Sequence, residues 1–138
     1  MARLRSIVLV ESNPLDAMTV RRVFAQAGQE WALIHSLDGI GALTYLQRPK
    51  DDIPSLVILD LDNDRDDNIA LLRYLKQDTV YRHLPILVLA GGDHNGAIVE
   101  YQNLGTDDYL IKPSDYALFS KEIAHFLRRW AARATAAA

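Results

Sequence analysis

The chain contains no cysteine. Disulfides, thiolate metal sites and cysteine nucleophiles are excluded together, and a reducing, cytoplasmic compartment is expected. Proline and glycine are few, at five and seven of 138 residues, and disorder over most of the length is not expected. No apolar run approaches the ~20 residues of a membrane span. The basic start, Met1 to Ser6, leads into only the short apolar run Ile7 to Val10, too little for a signal-peptide core. Positive charge is not in excess. Lys plus Arg is 15 against 18 Asp plus Glu, a net charge of −3, which gives no support to non-specific nucleic-acid binding. Neither a GxxxxGK loop nor a GxGxxG loop is present.

What is present is ordinary for a globular protein: 49% hydrophobic and 24% charged residues. The length fits one domain over residues 1–138, with a core of about 4–130 and an alanine-rich end, 131–138, that extends the last helix or frays. A domain this long buries about two-thirds of its unfolded surface and needs no staples.

Short apolar runs alternate with helical patterns. The runs are Ile7–Val10, Trp31–Ile34, Leu56–Leu59, Ile86–Ala90 and Tyr109–Ile111. Runs this continuous fit strands buried on both faces, which belong to parallel sheets. Between them lie stripes at helical spacing: Ala17, Val20, Phe24 and Ala27; Ile40, Leu43 and Leu46; Ile69, Leu72 and Leu75; a thinner one of Ala97, Tyr101 and Leu104; and Phe119, Ile123, Phe126 and Trp130. Asn13 and Pro14 suit a helix start, Gly28 a stop, and Pro49 the end of the second helix. Five strand–helix units predict an α/β, doubly wound parallel sheet with right-handed crossovers.

Such folds place their sites outside the carboxyl ends of the strands. Glu11-Ser12-Asn13 follows the first run, an acid-rich loop beginning Asp60-Leu61-Asp62 the third, Gly91-Gly92-Asp93 the fourth, and Lys112-Pro113 the fifth. Acids and a lysine converging on one edge suit a hard cation and a phosphoryl group. Taken singly, each is as well read as a solvated loop residue; their joint placement gives them weight.

The stretches Ile7–Pro14, Leu56–Leu61, Leu84–Leu89 and Leu104–Pro113, in this order and spacing, resemble the receiver domain of two-component response regulators. The resemblance implies a flavodoxin-like (βα)5 fold with strand order 2-1-3-4-5. It implies that Asp60 is the phosphoacceptor, Lys112 the phosphoryl-binding residue, and Glu11, Asp60 and Asp62 the ligands of Mg²⁺. Pro113 is then a candidate for a cis peptide bond, and Ala90 and Tyr109 occupy the switch positions. The implied role is a single-domain response regulator in phosphorelay signalling, acting through protein contacts and not as an enzyme. Its implied partners are a histidine kinase, of phytochrome type, or a phosphotransfer protein. A homodimer through the face of the fourth helix, fifth strand and fifth helix is expected, that face presenting Tyr101, Tyr109, Tyr116 and Lys121. Neither nucleic acid nor membrane is an expected partner.

The sequence departs from the family pattern at several points. Ser12 stands where a second acid is usual and offers a neutral oxygen only. Ala90 stands where a Thr or Ser hydroxyl would meet the phosphoryl group. Asp64 and Asn68 replace a common proline and glycine. Two versions follow: a receiver that accepts a phosphoryl group weakly, with Asp62 or Asp64 compensating for the lost ligand, and a degenerate one that binds partners without switching. The enzyme alternative is a haloacid-dehalogenase-like phosphatase using Asp60 and Asp62, but the motif order is wrong for it. An EF-hand loop fails because Arg65 and Leu71 stand where Gly and Glu are required. The four histidines show no metal-ligand spacing.

Overall fold

The computed structural model describes residues 5–26, 31–50, 53–92 and 95–137. Five strands, β1 (Arg5–Val10), β2 (Trp31–Ser36), β3 (Leu56–Asp60), β4 (Ile86–Ala90) and β5 (Asp108–Ile111), alternate with five α-helices. These are α1 (Pro14–Gln26), α2 (Gly39–Gln47), α3 (Arg65–Gln77), α4 (Asn95–Asn103) and α5 (Tyr116–Ala137). All strand pairs are parallel, in the order β2-β1-β3-β4-β5, as the sequence led us to expect. No helix among the described residues is long and apolar enough to cross a membrane.

The continuous apolar runs are explained by a sheet covered on both faces. Ile7, Leu9, Ile58, Leu87 and Leu89 pack with α1 and α5, against Val20, Phe24, Phe119, Ile123 and Phe126. Val8, Val10, Val57, Leu59, Ile86, Val88 and Ala90 pack with α2, α3 and α4, against Leu46, Leu72, Leu75, Ile98 and Tyr101. Successive side chains of a strand point to opposite faces, so every residue of β3 and β4 is buried by one layer or the other. Each fully buried Leu or Ile side chain contributes ~1.5–3 kcal/mol.

Acids and amides start the helices. Asn13 Oδ1 accepts the Leu15 N–H at 2.9 Å and the Asp16 N–H at 3.3 Å, as its place before Pro14 suggests. Asp38 caps α2 through Gly41, and Asp64 caps α3 through Asp67. Gly105 ends α4 at φ +106, a conformation only glycine adopts without strain.

Two expectations, at Ile40 and Tyr101, need amending, and one short element is additional. Ile40 is exposed, and α2 turns Ala42 and Leu46 to the core instead. A 3₁₀ turn, Tyr81–His83, precedes β4 and buries Tyr81, whose hydroxyl donates to the Leu46 carbonyl at 3.0 Å. Tyr101 belongs to the core, not to an outward face, because α4 turns it onto the sheet beside Ile98. The proposed helix stop at Gly28, together with Ala27 and Asp93, lies outside the described residues.

Candidate functional site

The carboxyl ends of β1, β3 and β5 put three side chains together. Glu11 follows β1, Asp60 closes β3 and Lys112 follows β5. Lys112 Nζ makes an ion pair with Asp60 and donates to Glu11 Oε1 at 3.2 Å. A fourth group joins them from α1: Asp16 Oδ2 accepts from Lys112 Nζ at 2.7 Å. Glu11 and Asp60 have no exposed surface, and Asp16 is buried. The backbone around them is fixed as well. Glu11 N–H donates to the Ser36 carbonyl, Lys112 N–H to the Ala90 carbonyl at 2.7 Å, and Asp62 N–H to Asp60 Oδ1 at 2.7 Å. Asn63 Nδ2 donates to the Val10 carbonyl at 3.0 Å, tying the loop after β3 to the end of β1.

The charges follow from this packing. Burial raises Glu11 most, the adjacent Asp60 carboxyl adds to it, and Lys112 offsets only part, so its pKa is pushed up to about 10. Glu11 is therefore protonated at neutral pH. Its Oε2 meets no N–H or O–H donor, so a hydrogen bond to Asp60 requires a proton on one of the two acids. Burial works to lower Lys112, but its hydrogen bonds to Asp16 and Asp60 outweigh that and hold it above its ordinary value. The lysine stays charged.

One carboxylate oxygen from each of Glu11, Asp16 and Asp60 lies within 4.8 Å of the others. Three carboxyl groups this close fit a divalent cation such as Mg²⁺, whose binding would displace the proton held by Glu11. Asp62 is outside this group. Its side chain is 49% exposed and its Oδ2 lies 3.8 Å from Lys112 Nζ, at the rim. Asp64 is engaged as the cap of α3.

Ser12 is exposed, next to Glu11 in sequence. Ala90 is fully buried and Tyr109 is 44% exposed. No peptide bond among the described residues is cis, so the expected cis bond before Pro113 is corrected to trans. The trans form is intrinsically preferred by ~0.5–1 kcal/mol, and here the lysine is already aimed by its main-chain bond to Ala90 and its carboxylate partners.

Sequence reasoning missed Asp16, although a signal was there. Asp16, Val20 and Val23 share one helical face at i, i+4 and i+7, and the latter two are core residues. An acid leading an apolar stripe in the first turn, next to a strand's carboxyl end, is aimed at the site edge.

A family model described as a response regulator receiver domain matches residues 7–124. Response regulator Rcp1 of Synechocystis is 27% identical over 110 residues, 77% of this chain and 75% of that relative. Among solved structures, the Mn²⁺-bound form of response regulator Rcp1 superposes with a TM-score of 0.81 at 25% identity, covering 91% of this chain and 94% of that one. Response regulator RPA3017, in red light signaling of R. palustris, superposes at 0.76 with 28% identity, covering 89% and 91%.

Proposed function

The chain belongs to the response regulator receiver family, and from that premise we propose that it accepts a phosphoryl group on Asp60 through an atypical site. Receiver domains work with histidine kinases or phosphotransfer proteins and are signalling modules, not enzymes. The phosphatase alternative gives way to that membership. The observation that carries the reading is the buried ion pair of Asp60 and Lys112 at the carboxyl edge of the sheet.

In the proposed reaction an Asp60 carboxylate oxygen forms the new O–P bond as the N–P bond of a phosphohistidine breaks. The imidazole leaves with the electron pair and takes up a proton. Lys112 holds a phosphoryl oxygen as a point charge. Glu11, Asp16 and Asp60 would hold Mg²⁺, with Asp16 standing in for the acid absent at Ser12. The cation, when bound, supplies positive charge against the phosphoryl oxygens. Ser12 and Ala90 each withdraw a stabilising group, so both metal affinity and transfer are weaker than in a receiver with the full set.

The output is contact with other proteins. Exposed Tyr109 and Tyr116, with exposed Lys121, support a homodimer through the face of α4, β5 and α5. A solved structure described as the bacteriophytochrome response regulator AtBRR, 26% identical with a TM-score of 0.67, supports a phytochrome-type kinase as partner. The net charge of −3 supports the absence of nucleic-acid binding, and the lack of cysteine a cytoplasmic location. We take residues 1–138 as one receiver unit.

Intact mass after incubation with acetyl phosphate and Mg²⁺ tests this. One added phosphoryl group, absent in Asp60→Asn, is the expected result. No addition to the wild-type chain would leave a degenerate receiver that acts unphosphorylated.

A further inference from the structure

Position 90 has only a methyl group, which cannot change hydrogen-bond partners. A different pair of side chains connects Asp60 to α4. Asn68, on the first turns of α3, is fully buried. Its Nδ2 donates to the Asp60 main-chain carbonyl at 3.2 Å and to the Tyr101 hydroxyl at 3.1 Å. Tyr101 is 2% exposed and sits in the same packed layer as Ala90 and Ile98. One residue earlier on α4, Glu100 pairs with Arg65 at the start of α3. That exposed pair is worth little by itself.

The amide of Asn68 is poised between two arrangements. Asp60 O is an acceptor only, so the bond to it fixes which end of the amide faces inward. With Nδ2 spent on Asp60 and Tyr101, Oδ1 is left buried with no partner. An unmet buried acceptor is costly, and a change that offered it a donor would be favoured. If the Asp60 carbonyl withdraws, the amide is free to turn and Oδ1 can accept the Tyr101 hydroxyl proton. The two states thus differ in which atom of Asn68 meets Tyr101.

We propose that Asn68 and Tyr101 are positioning residues that relay the state of Asp60 to α4, in place of a hydroxyl at position 90. The inference rests on Asp60 being the phosphoacceptor. Hydrogen exchange of the α4 amides, with and without acetyl phosphate and Mg²⁺, tests it, with loading read by intact mass on the same samples.

In the wild-type chain, loading should change α4 exchange by at least about twofold, the lower end of coupling through such networks. Tyr101→Phe should load as the wild type does and lose that difference. Asn68→Ala is the second variant. A purely structural role would shift exchange equally in loaded and unloaded samples, leaving the difference intact. Loading with an α4 response that survives in both variants, or with none in the wild type, overturns the relay and leaves the phosphoacceptor reading standing. No loading of the wild type overturns both.

Discussion

Glu11 sits without exposed surface between Asp60 and Lys112, and its pKa is raised from its ordinary 4.5 to about 10. Between those values the folded chain keeps a proton that the unfolded chain releases. Its contribution to stability is therefore full below pH 4.5 and is lost as pH rises through 10. Lys112, also raised, begins to act only above its ordinary 10.5, outside that window. In metal-free buffer, urea unfolding from about pH 6 to pH 9 should show falling stability, by up to ~1.4 kcal/mol per pH unit for one proton. Glu11→Gln should flatten that slope; parallel slopes for the two proteins would refute the assignment. A second prediction separates the acids. Asp16→Asn should weaken Mg²⁺ binding about tenfold, or ~1.4 kcal/mol, by titration calorimetry, whereas Asp62→Asn should leave it within about twofold. Glu11, Asp60 and Lys112 were legible because they directly follow apolar strands. Asp16 was not, because it comes from a helix and its meaning depends on which way that helix faces.

At the level of elements, β1, β3 and β4 announced themselves by unbroken apolar runs, since both their faces are covered. The sequence stripe of α4, Ala97, Tyr101 and Leu104, is thin because two of its members are only partly buried. Ile98 and Tyr101 do the burying. The 3₁₀ turn at Tyr81–His83 had no signal, being too short for any periodicity. Gly105 shows what composition alone does not reveal. Its N–H donates to the Gln102 carbonyl, and Thr106 N–H reaches back to the Tyr101 carbonyl at 3.2 Å, closing α4. Gly105→Ala should cost about 1–2 kcal/mol from the positive φ, measured by urea denaturation. An added Cβ would also approach Lys76 Cε at 2.6 Å, but that flexible side chain can move aside. A variant as stable as the wild type would show that the loop relaxes to a negative φ.

At the scale of the whole molecule, the sheet divides the interior into two layers that share no side chain among the described residues. Ile86 belongs to the layer of α2, α3 and α4, and Ile123 to the layer of α1 and α5. Ile86→Val and Ile123→Val should each cost ~0.5–1.5 kcal/mol, and in the double variant the costs should add to within ~0.5 kcal/mol. A larger departure in denaturant midpoints would mean that the strands transmit strain between the layers. The outermost strand on one side, β5, has only four residues. Asp108 at its start is held by Arg129 at 2.9 Å and by the Trp130 indole, and Pro113, just past its end, has no N–H to give. A foreign strand would find few free backbone groups and a fixed negative charge there. Aggregation by strand addition is thereby discouraged, and copies of this chain that associate along this side must do so by side chains and helices, which leaves their association reversible.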